Sequence, residues 1–188
     1  DDVRRAFESS LDAIRLAGAS VVGVEIPSAQ LIAPVYLHIV LGDAAAYHAT
    51  ALELMPERYT TPVRLRLEMA RYVLAEDYVR ALSGRDTLRG EVDLAMSGCN
   101  ALLLPTLPIP APPIGVNSVQ VGATKEPVRN LMLRLTQLFN ITGHPAISLP
   151  CGHTREGLPA GLQIVGRRTQ TDTLLHIARA VEQTLNEM

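Results

Sequence analysis

Residues 139–166 read FNITGHPAISLPCGHTREGLPAGLQIVG, and the fold is decided here. Gly143 followed by His144–Pro145 marks a helix end that turns sharply into a strand. Ala146–Leu149 is a short apolar run that reads as that strand, with Pro150 expected to end it. Gly152 and Gly157 sit in a polar stretch, CGHTREGLP, that can bring the chain back on itself. Gly161–Val165 is then the returning strand. Gly161 lacks a side chain where another backbone can approach closely, and Gln163 places an amide in an apolar strand, where it must find hydrogen bonds. A helix, a tight turn and two strands are therefore expected in succession.

Downstream, Leu174, Leu175, Ala178, Val181 and Leu185 recur at helical spacing behind Asp172, the expected N-cap. Upstream, Pro127 opens an expected helix with Leu131, Met132, Leu135, Leu138 and Phe139 on its buried face. Before it lies Ala101–Leu104, ALLL, a candidate buried strand. Five prolines between Pro105 and Pro113 stop any regular element there. The Pro-rich loop is expected to run over about residues 105–126, and a loop of that length often lies over a binding site.

The first half of the chain reads as mostly helical. Val3, Ala6, Phe7, Ser10, Leu11, Ile14 and Ala17 form one stripe, closed by Gly18 in a left-handed turn. Val21, Val22, Val24 and Ile26 read as a buried strand stopped by Pro27. Helices follow over about 31–54, from the Thr61–Pro62 cap to about Leu74, and from Asp77 to Met96. Gly84 and Gly90 weaken the last of these by about 1 kcal/mol each relative to Ala. The sum is an α/β chain with a mixed β-sheet flanked by helices, read as one partial domain over residues 1–188.

Composition narrows the function. Of the 188 residues, 47% are hydrophobic and 19% charged, which fits a packed globular chain. A net charge of −2 with scattered arginines gives no footprint for nucleic acid or a membrane surface. No apolar run is expected to reach the length of a membrane span. Cys99 and Cys151 stand outside any CxxC pair and read as thiols of a reducing compartment, which places the protein in the cytoplasm. Cys151 and His153 flank Gly152 in an expected turn without an orienting acid, so neither a thiol nucleophile nor a metal site is expected. The opening resembles mid-domain helix and lacks an initiator Met, so the chain is expected to be a fragment.

The quoted stretch resembles the C-terminal hallmark of the amidase-signature family, roughly FN-x-x-G-x-P-A-x-S-x-P-x-G and then LP-x-G-x-Q-x-x-G. Asn140, Gly143, Pro145, Ala146, Ser148, Pro150, Gly152, Leu158, Pro159, Gly161, Gln163 and Gly166 all match. Upstream, the strand running into Pro105–Thr106 has Asn100 where the family usually has aspartate. Asp77–Tyr78 with Ala81 and Arg85 resembles a family helix, and Arg66 an arginine on the helix before it. Most of the matching positions are turn formers and strand residues, so Asn140, Gly143, Pro145, Ser148, Pro150, Gly152, Gly161 and Gln163 are taken as a folding pattern.

The resemblance implies an amidase that hydrolyses a carboxamide to a carboxylate and ammonia through a Ser–cisSer–Lys triad, with no metal or organic cofactor. That machinery needs a lysine on a buried strand and a Gly/Ser-rich loop. Lys125 is the only lysine, and it sits in a turn-like stretch. The expectation is therefore that no catalytic residue lies in this chain, that the triad belongs to a missing N-terminal region, and that the isolated chain is inactive. The resemblance and the loop chemistry make Arg66, Thr106 and Leu107 candidate substrate-binding residues for a small-molecule amide. In glutamine-using relatives an aspartate holds the substrate ammonium seven residues before the asparagine, and here that position is Leu133. The alternatives are the glutaminase subunit of a tRNA-dependent amidotransferase and a non-catalytic module of the same fold. Half an α/β fold would expose strand edges, so self-association is expected, and homo-oligomerisation stays open.

Overall fold

The computed structural model describes residues 2–187. In chain order the helices are α1 (Asp2–Leu16), α2 (Ile32–Leu54), α3 (Thr61–Ala70), α4 (Ala75–Ala95), α5 (Val128–Leu133), α6 (Gln137–Thr142) and α7 (Thr171–Asn186). The strands are β1 (Leu102–Pro105), β2 (Ser118–Val121), β3 (Thr124–Pro127), β4 (Ala146–His153) and β5 (Pro159–Val165). The chain is α/β, as the residue pattern implies. It forms two compact units, one of residues up to Ile26 together with those from Val92 on, the other of residues Pro27–Glu91.

The first unit is built on an antiparallel sheet in the order β1-β5-β4. Side chains alternate across it. Leu149 and Cys151 of β4 and Leu162 and Ile164 of β5 face a core closed by Ala6 and Ile14 of α1 and Leu174 and Ala178 of α7. The expected stripe of α1 is thus the buried one, and Gly18 ends it with φ 97°. On α7, the spacing puts Leu175 inside, but it is 53% exposed, because the face that meets the sheet is centred on Leu174 and Ala178. Gln170 holds the N-cap position, which leaves Asp172 in the first turn.

Four further expectations are corrected in this unit. Val21–Ile26 forms no regular element and pairs with no strand among the described residues, and Val22 and Val24 are exposed. β-branched sequence alone does not make a strand without a neighbour to bond. Pro150 does not end β4, which continues to His153, so Cys151 and His153 lie on a strand. β4 is an edge strand and its register shifts between Pro150 and His153, a setting that tolerates a residue without an N–H. The end of the Pro-rich stretch is not loop. Residues 118–127 form the β2–β3 hairpin, closed by a two-residue turn in which Gly122 takes φ 59°. The helix expected from Pro127 onward is split into α5 and α6 by a turn at residues 134–136.

In the second unit, α2 packs against α3. Gly84, a weak point of α4 by propensity, has a packing reason. A Cβ there would lie 2.7 Å from Val35 Cγ2 of α2. Gly42 of α2 likewise leaves room for the Tyr78 ring, whose hydroxyl donates to Asp43 Oδ1 at 2.7 Å. The Glu91 carboxylate accepts from the Ser28 backbone N–H at 2.9 Å and from its hydroxyl at 2.6 Å, ahead of the single 3₁₀ turn that leads into α2. The cap before α3 is Thr60, not Thr61, and the helix stops at Ala70.

The expectation about span length is also corrected. The continuous helical run Ala29–Leu54 is long and apolar enough to cross a membrane by length and composition, with an 18-residue stretch of mean hydropathy 1.4 of which 11% is buried. Its longest unbroken apolar stretch is only residues 31–37, but Asp43 and Glu53 are its only charges, and Gly and Ala fill the gaps.

Candidate functional site: a hydroxyl pair over a glycine

The three-stranded sheet of the first unit brings two hydroxyls together. Thr106 follows β1 and extends its pairing, its N–H donating to the Gly161 carbonyl at 2.7 Å. Ser148 lies on β4, on the other side of β5. Thr106 Oγ1 and Ser148 Oγ meet at 2.5 Å above Gly161. A Cβ at 161 would sit 2.7 Å from the threonine oxygen and 2.9 Å from the serine oxygen. The close approach expected at Gly161 is therefore to two side chains of neighbouring strands.

This pair opens onto a cavity of about 400 Å³. Its walls include Leu107, Ile109, Met132 and Leu149, and none of its lining residues is charged. The volume lies within the range of small-molecule pockets. Thr106 and Leu107, singled out from the sequence, both line it. Ser148, Pro150 and Gly161 line it as well, although their sequence context points to folding alone. Period-two alternation on β4 and β5 would have placed Ser148 beside Gly161, but nothing local ties either to Thr106. Met132, a core residue by helical spacing, is another wall residue that sequence reasoning misses. Arg66 lies on α3 of the other unit and is not among the residues that line this cavity.

The remaining motif positions shape the backbone around the site. Gly143 ends α6 with φ 76°, its N–H donating to the Phe139 carbonyl at 3.0 Å. The Pro145 carbonyl accepts the Gly166 N–H at 2.9 Å, and Gly152 takes φ 122°. Gln163 is almost fully buried and donates through Nε2 to the Leu135 carbonyl at 2.9 Å, which meets the demand raised by its sequence context. Asn140 is exposed on α6.

The nucleophile candidates carry little chemistry. Lys125 is exposed on β3. Burial pushes the Cys151 thiol above its ordinary value, and the Ser10 hydroxyl nearby offsets this only in part. A thiol so placed stays protonated and inert. His153 is exposed, whereas His144 is enclosed. The His144 imidazole has Nδ1 2.9 Å from Thr142 Oγ1 and Nε2 3.1 Å from Asp93 Oδ1, and Arg168 Nη2 donates to the other oxygen of Asp93 at 2.9 Å. Burial raises the Asp93 carboxyl, but the hydrogen bonds from Arg168 and His144 outweigh it and hold the group below its usual range. Thr142 is fully buried, so this chain of contacts is a structural tie and not an exposed triad.

The family described as Amidase matches residues 1–175. An amidase of Pseudomonas putida is 37% identical over 184 residues, covering 97% of this chain and 39% of the relative. A glutamyl-tRNA(Gln) amidotransferase subunit from Aromatoleum aromaticum is 30% identical over 208 residues, covering 97% of this chain and 41% of its own length. A crystal structure of an amidase superposes with a TM-score of 0.86 at 34% identity, over 93% of this chain and 40% of that one. The chain thus spans about two fifths of the length of the curated relatives it matches. With the hallmark stretch forming β4, β5 and the turns around them, and the match running through almost every element, the chain belongs to the amidase-signature family of hydrolases.

Proposed function

We propose that these residues form the C-terminal segment of an enzyme that hydrolyses a carboxamide to a carboxylate and ammonia, and that its Ser–cisSer–Lys triad lies outside this chain. The observation that carries the reading is the family match over residues 1–175, in a chain that covers only about two fifths of its relatives. Its own chemistry agrees with that division. The only lysine is exposed on a hairpin, whereas a lysine that serves as a base needs a buried setting. In this reading the cavity beside Thr106 and Leu107 is one wall of the pocket for the acyl part of the substrate. Two free thiols suit a reducing, cytoplasmic setting.

A role as the glutaminase subunit of an amidotransferase has the second relative in its favour, but Leu133 stands where an ammonium would need a carboxylate. The test is ammonia release from a panel of small carboxamides. The 188-residue chain alone should give none, and the longer polypeptide encoded at its native locus should turn over. Labelling of the chain alone by a covalent serine-directed probe would overturn the reading.

A further inference from the structure

We propose that the Thr106–Ser148 hydroxyl pair is a ligand-reading element, and that its cavity takes an uncharged molecule with a short aliphatic tail and one polar head that both donates and accepts a hydrogen bond. This rests on the reading of the cavity as a substrate wall and goes further by stating what the wall selects. Each hydroxyl carries one proton and two lone pairs. The 2.5 Å contact between them uses one proton and one lone pair. Among the described residues this contact is the sole side-chain hydrogen bond that either hydroxyl makes. One O–H donor and several acceptor positions are therefore left side by side at the cavity.

The pair is also held in place before anything binds. The Thr106 backbone is fastened to Gly161 by its N–H, Ser148 is fixed on β4, and the missing side chain at 161 is what lets the two oxygens meet. Little freedom is lost when such a pair engages a ligand. Beyond the pair the walls are hydrocarbon, from Leu107, Ile109, Met132 and Leu149. With no charged residue in the lining, a carboxylate or an ammonium would give up water without gaining a counter-ion. Neutral heads are selected by this absence of charge, and the tail by the walls.

The experiment uses the 188-residue chain with 13C-methyl methionine, following the Met132 methyl signal, a readout that tolerates slow tumbling. The chain is titrated at neutral pH with hexanamide, hexanoate and hexylammonium. Hexanamide should shift the signal saturably and bind at least about tenfold more tightly than either ion, the penalty of an uncompensated charge. Ser148→Ala should weaken hexanamide about fivefold, as expected for one lost hydrogen bond, and Thr106→Val combined with it should weaken it further. Absence of a saturable shift, equal binding of the ions, or undiminished affinity in Ser148→Ala would each overturn the proposal. Should the double variant fail to fold, Ser148→Ala alone decides. Binding is read without turnover, so a chain that ignores hexanamide while its longer form releases ammonia leaves the proposed activity standing.

Discussion

His144 and Asp93, 51 residues apart in sequence, are joined by a 3.1 Å contact between Nε2 and Oδ1. The imidazole is fully enclosed, while the carboxylate is 43% exposed. The other ring nitrogen meets Thr142, whose hydroxyl donates to the Leu138 carbonyl at 3.0 Å. The contact thus links the C-terminal end of α6 to the last turns of α4, and through Arg168 to the segment after β5.

Replacing the enclosed ring should cost more than replacing its exposed partner. His144→Ala empties a filled site and removes both of these contacts, and should destabilise by about 2–4 kcal/mol. Asp93→Asn keeps the shape and should cost about 1 kcal/mol or less, as exposed ion pairs do. Urea midpoints of the two variants check the order, and a reversal would mean that the ring is not the tie it forms here.

Asp93 also predicts a pH dependence. Its folded carboxyl sits below the ordinary value of 3.8, so the folded state holds on to fewer protons there than the unfolded chain. Its contribution is fully present above the unfolded value and is lost as pH falls from about 4 downward, through the folded one. Asp2 titrates on the same limb, held low chiefly by the Arg155 backbone N–H. Asp93→Asn should therefore flatten the acid limb of a stability profile only in part, with no change near neutrality in its slope.

Gly161→Ala should destabilise by about 1–3 kcal/mol, since its Cβ would meet the Thr106 and Ser148 oxygens at 2.7 and 2.9 Å. Combining it with Thr106→Ala and Ser148→Ala should recover much of the loss. Thermal melts of the single and triple variants measure this, and a triple variant no better than the sum of its parts would place the strain elsewhere.

Gln163→Leu keeps the volume but removes the donor to the Leu135 carbonyl. A loss of about 1–3 kcal/mol is expected for the orphaned carbonyl, with faster amide exchange around the turn between α5 and α6. Hydrogen exchange by mass spectrometry would show whether the effect is local to that turn.

The isolated chain should self-associate. The sheet ends on β1 and β4, the segment around Val22 and Val24 exposes β-branched side chains without a ladder, and Tyr47 and Leu54 project from α2. Light scattering should report mass above that of the monomer, rising with concentration. A monodisperse monomer would count against the fragment reading.

Local pattern was enough for α1, α2, α4 and α7 and for the existence of the two long strands, because amphipathic spacing and glycine turns act within a few residues. The stripe of α1, the left-handed Gly18 and Gly143, and the demand that Gln163 find a partner were all legible that way. The errors came where the outcome depended on a neighbour. Val21–Ile26 has strand-forming residues but no partner, β4 passes through Pro150 because it lies at an edge, and Gly84 is a contact with Val35, not a weakness.

The candidate site divides in the same way. Thr106 and Leu107 stood out by their position after a strand and before a run of prolines, a feature of the chain itself. Ser148 could be read only as part of a turn-and-strand pattern, and its meeting with Thr106 across Gly161 depends on the order β1-β5-β4. By itself the sequence determined the family, the helices and the absence of a buried lysine, because residue identity and short-range spacing suffice for these. The tertiary structure alone decided which hydroxyls meet, which histidine is enclosed and which prolines a strand can pass, because each depends on residues tens of positions apart brought within a hydrogen bond of one another.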